Sequence, residues 1–127
     1  MLPWTLLATA TIPGDGEEMR LYQRGGEFSI RVSSYELMNS RVHGSEDALS
    51  ELVADRLRDP ASARVLIGGL GMGFTLAAML ARVGKKSHVV VAELLPEVVE
   101  WNRGVMAAIN GAALNDPRVS VRVADVA

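Results

Sequence analysis

From residue 4 to residue 42 the apolar positions fall into short runs broken by turn-formers. The stretches WTLLATATI, EMRLYQR, EFSIRV and YELMNS are separated by Gly14-Asp15-Gly16, Gly25-Gly26 and Ser33-Ser34, the punctuation of successive strands. Leu21, Phe28, Ile30 and Val32 alternate with Tyr22, Ser29 and Arg31, the period-2 pattern of a half-buried antiparallel ribbon. Gly25-Gly26 suits a two-residue hairpin, because glycine takes positive φ without steric cost. Residues 1–44 are thus predicted to form a β-meander.

At Ser45 the period changes. Ser45 can cap a helix, Glu46 and Asp47 suit its first turn, and Leu49, Leu52, Val53 and Leu57 recur at helical spacing as far as Asp59-Pro60, which predicts one helix with one apolar stripe. Strand and helix then alternate: Arg64–Ile67, a glycine-rich turn, Phe74–Val83, a Gly84-Lys85-Lys86 turn, His88–Ala92, Pro96–Asn110, a loop to Pro117, and Arg118–Ala124. Such alternation predicts an α/β domain whose parallel sheet is built from right-handed crossovers. Residues 45–127 read as part of a Rossmann-like domain.

The whole chain has 127 residues, whereas a complete nucleotide-binding α/β enzyme usually needs roughly 200 or more. Its last residues, VRVADVA, read as a strand in progress, and the expectation is that the sequence stops within its fold. Thirteen Lys and Arg against fifteen Asp and Glu, without a block of like charge, give no footprint for nucleic acid or an anionic membrane. Cysteine is absent, which removes disulfides and thiolate chemistry and is compatible with the cytoplasm. No Lys or Arg precedes the apolar start and Pro3 interrupts it, arguing against a signal peptide. No stretch approaches the roughly 18 apolar residues of a membrane helix. A soluble, cytoplasmic protein acting on a small molecule is expected.

The segment Val65-Leu66-Ile67-Gly68-Gly69-Leu70-Gly71-Met72-Gly73-Phe74-Thr75 carries the candidate chemistry. A buried strand runs into glycines and then a helix, an arrangement that brings backbone N–H groups against a polar ligand with no Cβ in the way, or else makes only a structural turn. A dinucleotide fingerprint starting at Gly69 needs glycine where Phe74 stands, which disfavours NAD. Gly84-Lys85-Lys86-Ser87 echoes a P-loop superficially, with Lys86 in the place of Ser or Thr. What remains is G-x-G-x-G over Gly69, Gly71 and Gly73, the spacing of an adenosyl-cofactor loop. Glu93 ends the second parallel strand twenty residues after Gly73. Its carboxylate can accept from both hydroxyls of a ribose, or serve the start of the helix at Pro96. Leu94 follows it at the same position on the edge, and Asp125, after the third strand, projects from that edge as a further ligand contact or a solvated strand end. His43 and His88 have no partner at metal-ligand spacing, so no metal site is expected, and Trp101, Met72 and Met79 read as packing residues.

With these residues in view, the run from about Glu27 to Asp125 resembles the spermidine synthase family and its methyltransferase-like relatives, through VLIGGLGMGFT, VVVAELLPEVVEWNR and DPRVSVRVAD. The resemblance implies S-adenosylmethionine or decarboxylated S-adenosylmethionine as cofactor, with its amino-acid or aminopropyl part against the glycine loop. It gives Glu93 the ribose and Asp125 the adenine amino group. It also implies a catalytic aspartate in a D-S-S-D-P-like segment after a fourth strand, which this sequence does not contain. A family Tyr-His-Glu triplet before the glycine loop matches Leu49, Ser50 and Glu51, so only Glu51 inherits a substrate-binding role.

The expectation is therefore a methyl- or aminopropyltransferase, lacking its catalytic base in these residues, with a non-catalytic binding or assembly module as the alternative and an NAD-dependent dehydrogenase behind both. In this strand order the strand at Val65 keeps one edge unpaired, an open edge that invites a second chain. A homodimer or larger assembly is expected.

Overall fold

A computed structural model describes residues 2–14 and 16–125. Asp15 of the first predicted turn, and Val126 and Ala127 at the end of VRVADVA, lie outside them. The chain divides into two compact units, Met1–His43 and Gly44–Ala127.

The first unit is one antiparallel sheet in the order β1-β2-β3-β4, with β1 Thr5–Thr11, β2 Glu18–Arg24, β3 Glu27–Val32 and β4 Tyr35–Asn39. The period-2 reading holds: Leu21, Phe28, Ile30 and Val32 are buried, and the β2–β3 register pairs Leu21 with Ile30 and Tyr22 with Ser29. Arg24 pairs with Glu27, so Gly25-Gly26 is a two-residue hairpin loop, with positive φ at Gly25. The next hairpin, Ser33-Ser34, departs from glycine chemistry. Ser33 sits at φ +53°, a left-handed conformation costing an L-residue roughly 1–2 kcal/mol, and its carbonyl accepts from the Arg20 guanidinium at 2.5 Å.

The second unit contains the parallel sheet, order β5-β6-β7, with β5 Arg64–Gly68, β6 His88–Glu93 and β7 Val119–Val123. Its helices are α1 Gly44–Ala54, α2 Phe74–Leu80 and α3 Pro96–Arg103. Val89 and Val91 of β6 and Leu76 of α2 are fully buried, and Met79 of α2 and Val98, Val99 and Trp101 of α3 are buried. Trp101, Met72 and Met79 are core residues, as their patterning predicts.

All three helices are shorter than the periodicity indicates. α1 stops at Ala54, and Asp59 instead accepts from the Ala61 N–H at the head of a separate 3-10 turn, Pro60–Ser62. Ser45 does not cap α1: it lies inside the first turn, and its hydroxyl donates to Glu46. The predicted stripe is not buried, since Leu49 and Leu52 are more than half exposed. The buried residue of α1 is Ser50, whose hydroxyl donates to the Thr75 carbonyl at 3.1 Å. α2 ends at Leu80 because the Arg118 guanidinium takes the carbonyls of Leu80 and Val83 at 2.9 and 2.7 Å. Asp116 fixes that guanidinium at 2.8 Å, and the bond holds the Asp116 carboxyl at about 2. α3 ends at Gly104, after which the chain turns through two 3-10 segments, Ala107–Ile109 and Ala113–Asn115.

The Gly84-Lys85-Lys86-Ser87 turn has a structural duty. Ser87 is buried and its Oγ accepts from the Ala63 N–H at 2.9 Å, while a Cβ on Gly84 would lie 2.6 Å from the Ala61 carbonyl oxygen.

Candidate functional site

The parallel register aligns three strand ends. Gly68 pairs with Ala92, Ala92 with Arg122, and Glu93 with Val123, so the glycine loop, Glu93-Leu94 and the residues after β7 share the carboxyl edge of the sheet. Open α/β sheets bind their ligands at this edge. The Ala124 N–H donates to the Glu93 carbonyl at 3.0 Å, which ties the β7 exit to β6 and leaves Asp125 exposed one residue further on. Leu94 is 42% exposed at the same edge.

Glu93 is the centre of this edge. It is 8% exposed; one carboxylate oxygen accepts from the Leu70 N–H at 2.8 Å and the other from the Leu95 N–H at 3.0 Å. Glu93 thus serves the residue before α3, and it also clamps the glycine loop, a contact that spacing does not announce. An ionised carboxylate has about four acceptor positions, so capacity remains on both oxygens for a vicinal diol.

The loop itself runs from β5 to α2. The Gly69 N–H donates to the Ala92 carbonyl at 2.7 Å and the Gly73 N–H to the Leu70 carbonyl at 2.9 Å. Gly69, Gly71 and Gly73 all take positive φ, at +92°, +54° and +80°, conformations that L side chains rarely adopt. The first and third differ in what they face. A Cβ on Gly69 would meet nothing within 4 Å, whereas on Gly73 it would collide with Asn110 Nδ2 and lie 2.8 Å from Asn102 Oδ1. Gly69 therefore leaves room for a ligand, and Gly73 leaves room for the protein.

Asn102 and Asn110 were not among the expected site residues. Each is buried. Asn102 Nδ2 donates to the Gly71 carbonyl at 2.7 Å and to the Val98 carbonyl at 2.9 Å. Asn110 Nδ2 donates to the Met72 carbonyl and to Asn102 Oδ1, both at 2.9 Å. Nothing local marks them: Asn102 lies between Trp101 and Arg103 in a charged stretch, and no spacing says which carbonyls the two reach.

A cavity of about 290 Å³ runs along the outer edge of β5 to Gly68 and Gly69, walled on the α1 side by Leu49, Ser50 and Val53. Glu51, also on α1, is exposed and is not among the described residues lining it. The glycines, Glu93, Leu94 and Asp125 thus share one edge, and Glu51 lies apart from that cavity.

Fold and edge together define an α/β protein with a four-stranded antiparallel sheet followed by a partial Rossmann-like parallel sheet of the methyltransferase type. No protein-family model matches the chain, and no curated protein does. Among solved structures it is similar to spermidine synthase from Thermotoga maritima, with a TM-score of 0.74 and 16% identity over 94% of this chain and 40% of that one. It is similar to a spermidine synthase in complex with the transition state analogue AdoDATO, with a TM-score of 0.73 and 16% identity over 94% of this chain and 41% of that one. A probable spermidine synthase from Corynebacterium glutamicum matches at a TM-score of 0.56 and 17% identity, over 94% and 45%. The likeness shows a spermidine synthase-like fold, of which this chain spans about two fifths of the length of the first two structures.

Proposed function

We propose that this chain forms the adenosyl-cofactor site of a spermidine synthase-like transferase, which moves an aminopropyl or methyl group from a sulfonium cofactor to a small-molecule acceptor. The observation that carries the reading is the shared edge: a glycine loop open at Gly69, the Glu93 carboxylate fastened to that loop with acceptor capacity to spare, and Asp125 after the next strand. The AdoDATO complex of a structural neighbour supports an adenosyl ligand of this kind.

In this reading Glu93 holds the ribose hydroxyls, Asp125 accepts from the adenine amino group, and the loop amides face the amino-acid or aminopropyl part. S-adenosylmethionine or its decarboxylated form supplies an electrophilic carbon beside its sulfonium when bound. The work of the chain's own residues is alignment, since a displacement at carbon needs chiefly a nucleophile brought into line at close range. The cysteine-free composition suits a cytoplasmic setting for this chemistry.

Isothermal titration with S-adenosylhomocysteine and methylthioadenosine tests the reading. Heat of binding that Glu93→Ala abolishes supports it; no heat with either nucleoside overturns it. NADH, in the same experiment, is expected to give no heat, because Phe74 occupies the position of the third dinucleotide glycine.

The open side of β5 favours self-association in addition. β5 is an edge of its sheet and Leu66 on it is 66% exposed, and such an edge is a template for another strand. Sedimentation is expected to show a dimer; a stable monomer at micromolar concentration removes this part of the proposal.

A further inference from the structure

We infer that Asn102 and Asn110 are positioning residues of the ligand site, which set the shape of the glycine loop from behind. The inference rests on the proposed adenosyl site and adds to it the residues that give the loop its ligand-ready form.

A loop of three glycines has little conformational preference of its own, because each glycine enters positive and negative φ with similar ease. Something outside the loop must select one conformation. The strand ladder reaches only to Gly69, through its N–H to Ala92, and Glu93 fixes the Leu70 N–H. Beyond Leu70, the carbonyls of Gly71 and Met72 are held by the Asn102 and Asn110 amides at 2.7 and 2.9 Å.

Peptide planarity converts that hold into an orientation. In a trans peptide the carbonyl of one residue and the N–H of the next point in opposite directions. Asn102 draws the Gly71 carbonyl towards α3, so the Met72 N–H is aimed away from α3, and among the described residues no acceptor takes it. Asn110 draws the Met72 carbonyl inward, so the Gly73 N–H turns back to the Leu70 carbonyl at 2.9 Å and closes the turn into α2. The Gly73 N–H is thus used inside the loop and Met72 is 1% exposed, so what the pair fixes is the path of the loop backbone on which a ligand would rest.

The two asparagines are themselves fixed. The Asn102 amide hydrogens go to Gly71 and Val98, its oxygen accepts from Asn110, and the Asn110 oxygen accepts from the Ala113 N–H at 3.2 Å. Every polar atom of the pair is used, and a fully satisfied buried network holds a single geometry. Gly73 is the complementary half of the device: its missing Cβ is the space that both side chains occupy.

The test compares Asn102→Ala with Val83→Ala, a core truncation beyond the far end of α2. Affinity for S-adenosylhomocysteine is measured by calorimetry well below both melting temperatures, and hydrogen exchange of the loop amides by NMR. Asn102→Ala is expected to weaken binding about tenfold, the equivalent of one buried hydrogen bond, and to speed exchange at Gly69 and Gly73 relative to Val91. Val83→Ala is expected to lower the melting temperature with affinity and loop exchange unchanged. Should Asn102→Ala fail to fold, Asn102→Ser, whose hydroxyl is too short to span to Gly71, carries the same expectation. Wild-type affinity and loop exchange in the asparagine variant overturn the inference alone. A wild-type chain that does not bind the nucleoside overturns the proposed function, and the ligand role of the pair with it.

Discussion

The two sheets of this protein use their polar side chains for different purposes. On the antiparallel sheet backbone contacts such as Arg20 to the Ser33 carbonyl sit at the turns, and along the strands polar side chains meet one another and the rings. The Arg24 guanidinium lies 4.3 Å from the Trp4 ring centroid, and that of Arg31 lies 5.0 Å from Trp4 and 4.8 Å from Tyr22. Glu36 accepts from Ser29 and Asn39, bonds that lower its pKa. In the parallel-sheet unit the polar side chains reach for the backbone: Glu93 for two N–H groups, Asn102 and Asn110 for loop carbonyls, Ser50 for Thr75, Arg118 for the end of α2. The first set decorates a backbone that its own ladder already fixes. The second set defines backbone that no ladder reaches, and substitutions there remove a conformation as well as a contact.

That contrast orders the expected effects of substitution. Gly73→Ala combines a positive φ with a collision against both asparagines and is expected to cost about 3 kcal/mol or more. Gly69→Ala has open space around it and should cost only the backbone term, about 1–2 kcal/mol. Equal costs by chemical denaturation would mean that the asparagines yield, which breaks the comparison. Glu93→Ala ranks above Gly69→Ala, because it orphans the Leu70 and Leu95 N–H groups at about 1–3 kcal/mol each. Glu93→Gln, with one acceptor left, should fall between the variant and the wild type.

A smaller effect is expected in acid. The Arg118 bond holds the Asp116 carboxyl at about 2, below its ordinary 3.8. The folded state therefore binds fewer protons than the unfolded one, so the stabilisation is complete above about 3.8 and lost as pH falls towards 2. Its size is on the order of 1 kcal/mol for a pair at the protein surface. Urea melts from pH 5 to 2 should be less steep in pH for Asp116→Asn. The smallest effect belongs to the antiparallel sheet: Arg24→Ala removes a ring contact and the Glu27 ion pair and should cost under ~1 kcal/mol. Part of that difference should vanish in 1 M salt, where the screening length is about 3 Å.

Strand positions were legible in the sequence because period-2 alternation and turn residues are local signals. All four strands of the meander and all three parallel strands fall where the pattern puts them, although β7 ends at Val123 and the strand read through VRVADVA does not include Ala124 and Asp125. Helix ends were less so. The apolar period of α1 continues past Ala54 to Leu57 while the helix does not, and α2 is stopped by Arg118, far along the chain. The buried residue of α1 was not legible, because Ser50 is held there by its bond to Thr75 while Leu49 and Leu52 of the apolar stripe stay exposed.

For the site, the sequence by itself determined the loop, its glycines and the acidic residue at the end of the following strand, since each follows from strand-to-helix punctuation and spacing. Only the tertiary structure decided what each glycine is for, that Glu93 clamps the loop, and that Asn102 and Asn110 hold it. The physical reason is that a hydrogen bond between residues 31 or 38 positions apart leaves no periodic trace in the chain. It exists only once α3 and the turns after it have packed beside the glycine loop.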